Sequence, residues 1–176
     1  MNLKTETVKE TDMTTTLHNC VVAPIAKMFA INDDLVSRAF SALTDEQMWK
    51  QPTDRNNPMF WIVGHVVETR TQLMAVLGEP IDTRWGARFA RGATLGPSAQ
   101  YPPRQEIQQV MGEVSRRLQA KLATLDDEEM RRPPAVPSPG AETLADLLAG
   151  FALHDCYHVG QIGYVLKAVG HPALAG

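Results

Sequence analysis

Two histidines near the carboxyl end of the chain have the spacing of a metal-binding pair. His154 precedes His158 by four residues, in a segment whose apolar residues recur every three or four positions. Residues four apart share one face of an α-helix and lie about 6 Å apart along its axis. Two neutral imidazoles so placed can hold one divalent ion, as in helical metalloprotease motifs. Spacing alone does not decide this, because a solvated pair at a helix end has the same pattern.

The surroundings of the pair favour a buried position. Burying two polar rings costs free energy unless a partner satisfies them. A metal ion and a set of hydrogen bonds in the core are both compatible with this pattern. One helical face runs through the pair and is otherwise apolar except for one carboxylate; it consists of Leu144, Leu148, Phe151, Asp155, His158, Ile162, Val165 and Val169.

A third histidine could complete the site from another helix. His65 lies in the apolar segment 61–67, where a histidine is more often an ordinary core residue. Together with His154 and His158 it would supply three nitrogen ligands between two helices, the usual place for metals in helical bundles. Three protein ligands leave a coordination position open, which is typical of catalytic metal sites. The remaining two histidines, His18 and His171, are expected at the surface.

Three polar residues near the histidines are candidate catalytic residues. Asp155 or Glu68 could accept the second N–H of a ligand histidine, or act as a general base. For Glu68 we prefer a surface ion pair with Arg70 or Arg117, whereas an unpaired Asp155 on an apolar face would be costly. Gln161 could hold a water molecule at the pocket, or be an ordinary polar residue.

Other reactive residues fit the site less well. Cys156 lies two residues from each paired histidine and therefore on another side of the helix, where it is expected to be a small buried residue. Four arginines lie in or next to the connection 79–104, and they could line an anionic or thiol-cofactor pocket or simply be solvated; they are Arg84, Arg88, Arg91 and Arg104.

The elements that must position these residues are four predicted helices. Apolar periodicity, proline and glycine place them at about 21–43, 58–77, 103–125 and 142–169, and no segment predicts a strand. We expect an all-α four-helix bundle with a long connection between the second and third helices. Residues 1–16 are polar and aperiodic, so they predict a flexible leader before a single domain at 17–176.

Composition excludes several classes of protein. The chain has 176 residues, 44% hydrophobic and 21% charged, which is ordinary for a globular domain and not for a disordered one. A net charge of -3 argues against a nucleic-acid binder. Two distant cysteines do not predict a disulfide scaffold, and no apolar run is long enough to span a membrane. We therefore expect a cytoplasmic protein without nucleic-acid or membrane partners.

Two motifs resemble those of the DinB/YfiT-like superfamily. Residues 154–162 (HDCYHVGQI) resemble the most specific motif of that family, on its last helix. Residues 57–65 (NPMFWIVGH), followed by 77–80 (LGEP), resemble its second helix. The connection also looks similar in Trp85, Phe89, Gly92, Tyr101 and Pro102, so the resemblance covers residues 18–170.

The resemblance implies a four-helix bundle with a zinc or nickel ion on His65, His154 and His158. It also implies frequent homodimers, small-molecule substrates, and thiol-dependent transferases or isomerases that use low-molecular-weight thiols. The sequence therefore predicts a metal-dependent enzyme that activates water or a thiol, as a hydrolase or a thiol S-transferase. The alternative is a non-catalytic, dimeric, stress-related binding bundle whose metal is vestigial or absent.

Overall fold

The computed structural model describes residues 20–174, and the helices found there form the predicted four-helix bundle. The four long helices are α1 (Val22–Ala42), α3 (Met59–Val76), α4 (Arg104–Leu122) and α6 (Leu144–Ala168). Between them lie the short helices α2 (Asp45–Trp49) and α5 (Asp127–Arg131), and the 3₁₀ turns Gly86–Phe89 and Ser98–Gln100. Residues 20–174 contain no strand, only an isolated bridge between Ser138 and Ala141. The expected leader and His18 lie outside the described residues.

Local signals explain where the long helices begin and end. Thr143 and Asp146 form a reciprocal capping box at the start of α6. Gly78 and Gly170 follow the ends of α3 and α6 with φ of 81° and 93°, a conformation that glycine adopts without steric cost. Pro58 occupies the N-cap position of α3, where its fixed φ suits the start of a helix.

Both short helices were absent from the sequence prediction. Thr44 begins α2 with a capping box to Gln47. Asp126 begins α5 in the same way, just after α4 ends at Leu122. Five-residue helices carry too little periodicity to be recognised without their caps. In residues 20–174 no helix has the length and hydropathy of a membrane span.

The core consists of two apolar clusters, one above the other along the bundle. The cluster beside the long connection includes Phe40, Phe60 and Phe89. The cluster at the opposite end includes Phe29 and Leu118. In α1, α3 and α6, buried polar residues lie between the residues that enter the two clusters, so a polar layer crosses the middle of the core.

The polar layer joins all four long helices through one arginine. Arg70 of α3 is 1% exposed, and its Nε donates to Oδ2 of Asp155 on α6 at 2.7 Å. Its Nη1 donates to Asp33 on α1 and, at 3.0 Å, to Oγ of Ser115 on α4. Ser115 in turn donates to Asp33 at 2.7 Å. Burial alone would lower the pKa of Arg70, but the charges of the two carboxylates outweigh it and raise that pKa.

Replacing this arginine should destabilise the fold severely. Arg70→Ala leaves the carboxylate of Asp155, which is 1% exposed, buried without its cation. We expect the free energy of unfolding to fall by about 3–5 kcal/mol, measured by urea denaturation in the presence of a chelator. Arg38→Ala removes an exposed pair with Asp34 and should cost less than about 1 kcal/mol. Equal losses in the two variants would show that the buried layer does not have this role.

Candidate metal centre

Three histidines from two helices meet beside the polar layer. His65 lies on α3, and His154 and His158 lie one turn apart on α6. Nε2 of His154 is 3.1 Å from Nε2 of His65 and 3.1 Å from Nε2 of His158. The ligand atoms of all three lie within 4.8 Å of one another, so the group could hold one metal ion. His171 is not part of this group.

Hydrogen bonds fix the orientation of two of the rings. Nδ1 of His65 lies 2.6 Å from the carbonyl oxygen of Phe89, and Nδ1 of His158 lies 2.8 Å from Oε1 of Gln161. A carbonyl oxygen accepts only, so His65 must carry its proton on Nδ1 and present a lone pair at Nε2. The contact with Gln161 assigns the same tautomer to His158, since the amide nitrogen of Gln161 donates to Tyr157 at 3.0 Å.

The third ring has an unpartnered nitrogen. Nδ1 of His154 and Oδ1 of Asp155 are both buried without a hydrogen-bond partner among the described residues. The two atoms face each other at 4.0 Å, too far for a direct hydrogen bond. The carboxylate of Asp155 thus lies beside the unpartnered nitrogen of His154, while its other oxygen pairs with Arg70.

The environment keeps two of the imidazoles neutral. Burial lowers the pKa of His65, and the neighbouring His154 lowers it further. Burial is also the main reason why the pKa of His158 falls to about 4, with His154 again adding to the effect. Neutral imidazole is the form that binds metal ions, so these two residues are ready to act as ligands near neutral pH.

One face of α3 binds the long connection that follows it. Nε1 of Trp61 donates to the carbonyl oxygen of Arg88 at 3.2 Å, one residue before the carbonyl that holds His65. The ring of Phe89 lies over Gly64, where an added Cβ would be 2.2 Å from its Cε1 atom. The connection is therefore fixed where it contacts the site, and Gly64 provides the space for this contact.

Glu68 belongs to the same contact and not to an ion pair. Its Oε2 accepts from Oγ1 of Thr83 at 2.9 Å, and its Oε1 accepts from Nε2 of Gln72 at 3.3 Å. The preferred pairing with Arg70 or Arg117 is wrong, because Arg70 pairs with Asp155 and Asp33. Arg117 pairs instead with Glu79 and Glu113. Among the described residues, Glu68 accepts no hydrogen bond from a histidine.

A cavity of about 500 Å³ borders the histidines. His65 and His154 line it, whereas His158 is not among its lining residues. Its walls come from α3, the long connection, the 138–141 segment and the first turns of α6; its other lining residues are Thr69, Gln72, Ala90, Arg91, Ser138, Pro139, Gly140, Ala141, Asp146, Leu147, Gly150 and Phe151. The three-histidine group is therefore accessible to a small molecule from one side.

The remaining candidates are the four arginines of the connection and Cys156. Of the four arginines, Arg91 alone lines this cavity, whereas Arg88 donates to Gln100 and Arg104 to Asp45. Cys156 contacts Asn32 through its sulfur, at 3.4 Å from the Nδ2 atom, and is not part of the histidine group.

The sequence pattern and the fold agree with one family. A sequence profile of the DinB superfamily matches residues 28–162. The chain belongs to the DinB superfamily. The comparison with curated proteins found no match. A similar solved structure is YfiT from Bacillus subtilis, described as a probable metal-dependent hydrolase with an unusual four-helix bundle topology. It shares 14% identity with this chain at a TM-score of 0.63, covering 97% of this chain and 95% of YfiT.

Filling the space at Gly64 should disturb the contact that holds His65. Gly64→Ala places a methyl group against the buried ring of Phe89, so we expect a loss of about 1–3 kcal/mol in the free energy of unfolding despite the better helix propensity of alanine. The matched control is Gly112→Ala on α4, where an added Cβ meets nothing within 4 Å. That variant should gain about 0.5–1 kcal/mol. Urea denaturation measures both, and a gain in both would contradict the packing described here.

Proposed function

We propose that this protein is a metal-dependent enzyme in which His65, His154 and His158 hold one divalent ion. The observation that carries the proposal is the meeting of three Nε2 atoms. Nε2 of His65 and of His158 present lone pairs, because their protons are on Nδ1. A proton on Nε2 of His154 could satisfy only one of its two neighbours. A divalent cation satisfies all three nitrogens together.

The surroundings of the group fit a catalytic ion better than a structural one. Three nitrogen ligands leave a tetrahedral ion with an open position, and the cavity reaches His65 and His154 from one side. Bound there, the ion would supply Lewis-acid chemistry, because it lowers the pKa of a water molecule or thiol that it coordinates. The carbonyl of Phe89 and the amide of Gln161 orient His65 and His158 for this purpose.

Hydrolysis is the reaction class that we favour. The similar fold of YfiT, itself described as a probable metal-dependent hydrolase, supports this choice. Transfer of a low-molecular-weight thiol is the second candidate, since the same ion could activate either nucleophile. Imidazole ligands suit both zinc and nickel, and we propose zinc first because a three-histidine set with an open position is a common zinc arrangement.

We also propose that the protein forms a homodimer through the outer face of α6. Between Leu147 and Leu166 the only charged residue of the Asp, Glu, Lys and Arg types is Asp155, which is buried. The exposed side of this stretch instead carries Leu153, Tyr157 and Tyr164, with Leu153 68% exposed. Helix α1, packed against α6, adds the exposed Met28 and Ile31. A second copy offers the same apolar face, as a twofold interface requires.

Removing one ligand should remove the metal. We expect one equivalent of zinc or nickel per chain after purification without a polyhistidine tag, and His158→Ala should lose most of it, as measured by elemental analysis. His171→Ala is the matched control and should retain the full content. Gln161→Leu keeps all three ligands and should weaken metal affinity by about 10–100-fold.

The same preparations separate the enzyme from a non-catalytic bundle. A chelator should lower the melting temperature of the wild type but not that of His158→Ala, because only bound metal stabilises the folded state. Wild-type protein that contains no metal, and whose melting temperature a chelator does not change, would support the non-catalytic alternative.

The dimer face can be tested with charge. Leu153→Glu combined with Tyr164→Glu places two carboxylates on the exposed face without entering the core, so we expect a monomer by sedimentation equilibrium where the wild type is a dimer. The control is Val136→Glu, which is 53% exposed but lies in the connector before α6 and should remain dimeric. A monomeric wild type, or a dimeric double variant, would rule out this interface.

A further inference from the structure

The cavity beside the histidines has several apolar lining residues and few charged ones. Leu147 and Phe151 of α6 line it together with Ala90 and Pro139. Its volume of about 500 Å³ lies in the range of small-molecule sites, about 300–1,000 Å³. The lining therefore suits a compact, partly apolar molecule.

Besides the histidines, two ionisable side chains line the cavity, those of Asp146 and Arg91. The carboxylate of Asp146 already has hydrogen-bond partners. The carboxylate of Asp146 accepts from the backbone nitrogen and the hydroxyl of Thr143 at 2.9 and 2.8 Å, as part of the cap of α6. These hydrogen bonds from Thr143 lower the pKa of Asp146 and keep its charge satisfied locally. Asp146 therefore has a structural role at the start of α6.

Arg91, by contrast, has no partner in residues 20–174. No hydrogen bond or ion pair joins it to another described residue, whereas the nearby Arg88 and Arg104 are both bound to side chains. Gly92 follows it with φ of 81°, a conformation that turns the chain directly after this residue. The cavity lining therefore includes an available guanidinium together with two of the histidines, His65 and His154.

We propose that this cavity binds a small organic anion, whose carboxylate or sulfonate pairs with Arg91 and whose apolar part lies against Leu147 and Phe151. A guanidinium matches the two oxygens of such a group with parallel N–H donors. The anion thereby anchors one end of the molecule in the cavity that His65 and His154 also line. This inference deepens the proposed function, because it names the substrate class of the same site.

A matched pair of fluorescent probes tests the role of the charge. 1-Anilinonaphthalene-8-sulfonate and N-phenyl-1-naphthylamine have the same aromatic skeleton, and only the first has a sulfonate. Titrated into the full chain with a chelator present, the sulfonate probe should bind Arg91→Ala about tenfold more weakly than the wild type. The neutral probe should bind both equally. The affinity of Arg91→Lys for the sulfonate probe should lie between those of the wild type and Arg91→Ala. Arg84 is not among the lining residues, so Arg84→Ala should bind this probe as the wild type does.

A second variant tests where the probes bind. Gly150 lines the cavity and has open space at its Cβ position, so Gly150→Leu fills part of the cavity and should weaken both probes. Gly112→Leu is the control on α4 and should leave both unchanged. The proposal is overturned if Arg91→Ala affects the two probes equally, or if Gly150→Leu affects neither. Because the titration is done without metal, its failure is distinct from a failure of metal binding.

Discussion

The structure depends on one buried cation. Arg70 has to meet Asp33, Ser115 and Asp155 at once, and each of these residues comes from a different long helix. An ionised side chain inside the core is tolerated only when its partners are correctly placed, so this layer restricts how far each helix can slide along its neighbours. The apolar clusters on either side are less selective, because hydrophobic contacts have little directionality. Packing stabilises the bundle, and the arginine fixes its register.

The register of α6 matters because its neighbouring residues perform different tasks. Asp155 faces the arginine, while His154 and His158 present nitrogens to His65. Since Asp155 and His154 are adjacent in the chain, whatever fixes the carboxylate also fixes the height of the histidine pair relative to α3. The same layer that aligns the helices therefore aligns the candidate metal ligands. On α3, Arg70 likewise belongs to the polar layer and His65 to the histidine group. The long connection also binds α3, through the carbonyl oxygen of Phe89.

The sequence predicted the parts of the site that have a periodic signal. The histidine group was predicted from the spacing of His154 and His158 and from the apolar segment around His65. Arg70 was misassigned to the surface, although the need of Asp155 for a cation and the few charges on α3 could have indicated a buried pair. The carbonyl of Phe89 had no such signal, because any residue has a carbonyl and only the path of the connection brings this one to His65.

The outer face of α6 is connected to the histidine group through Tyr157, whose ring lies edge-on to that of His158, and through the amide of Gln161. Gln161 accepts from His158 and donates to Tyr157, which is 63% exposed on the outer face of α6. An exposed tyrosine samples several rotamers. When the hydroxyl of Tyr157 leaves its hydrogen bond with Gln161, the amide is freer to turn away from His158. A second copy packed on this face would restrict Tyr157, and through Gln161 it would hold the proton of His158 on Nδ1. Dimer formation and metal affinity would then be coupled, although no residue of the second copy needs to enter the site.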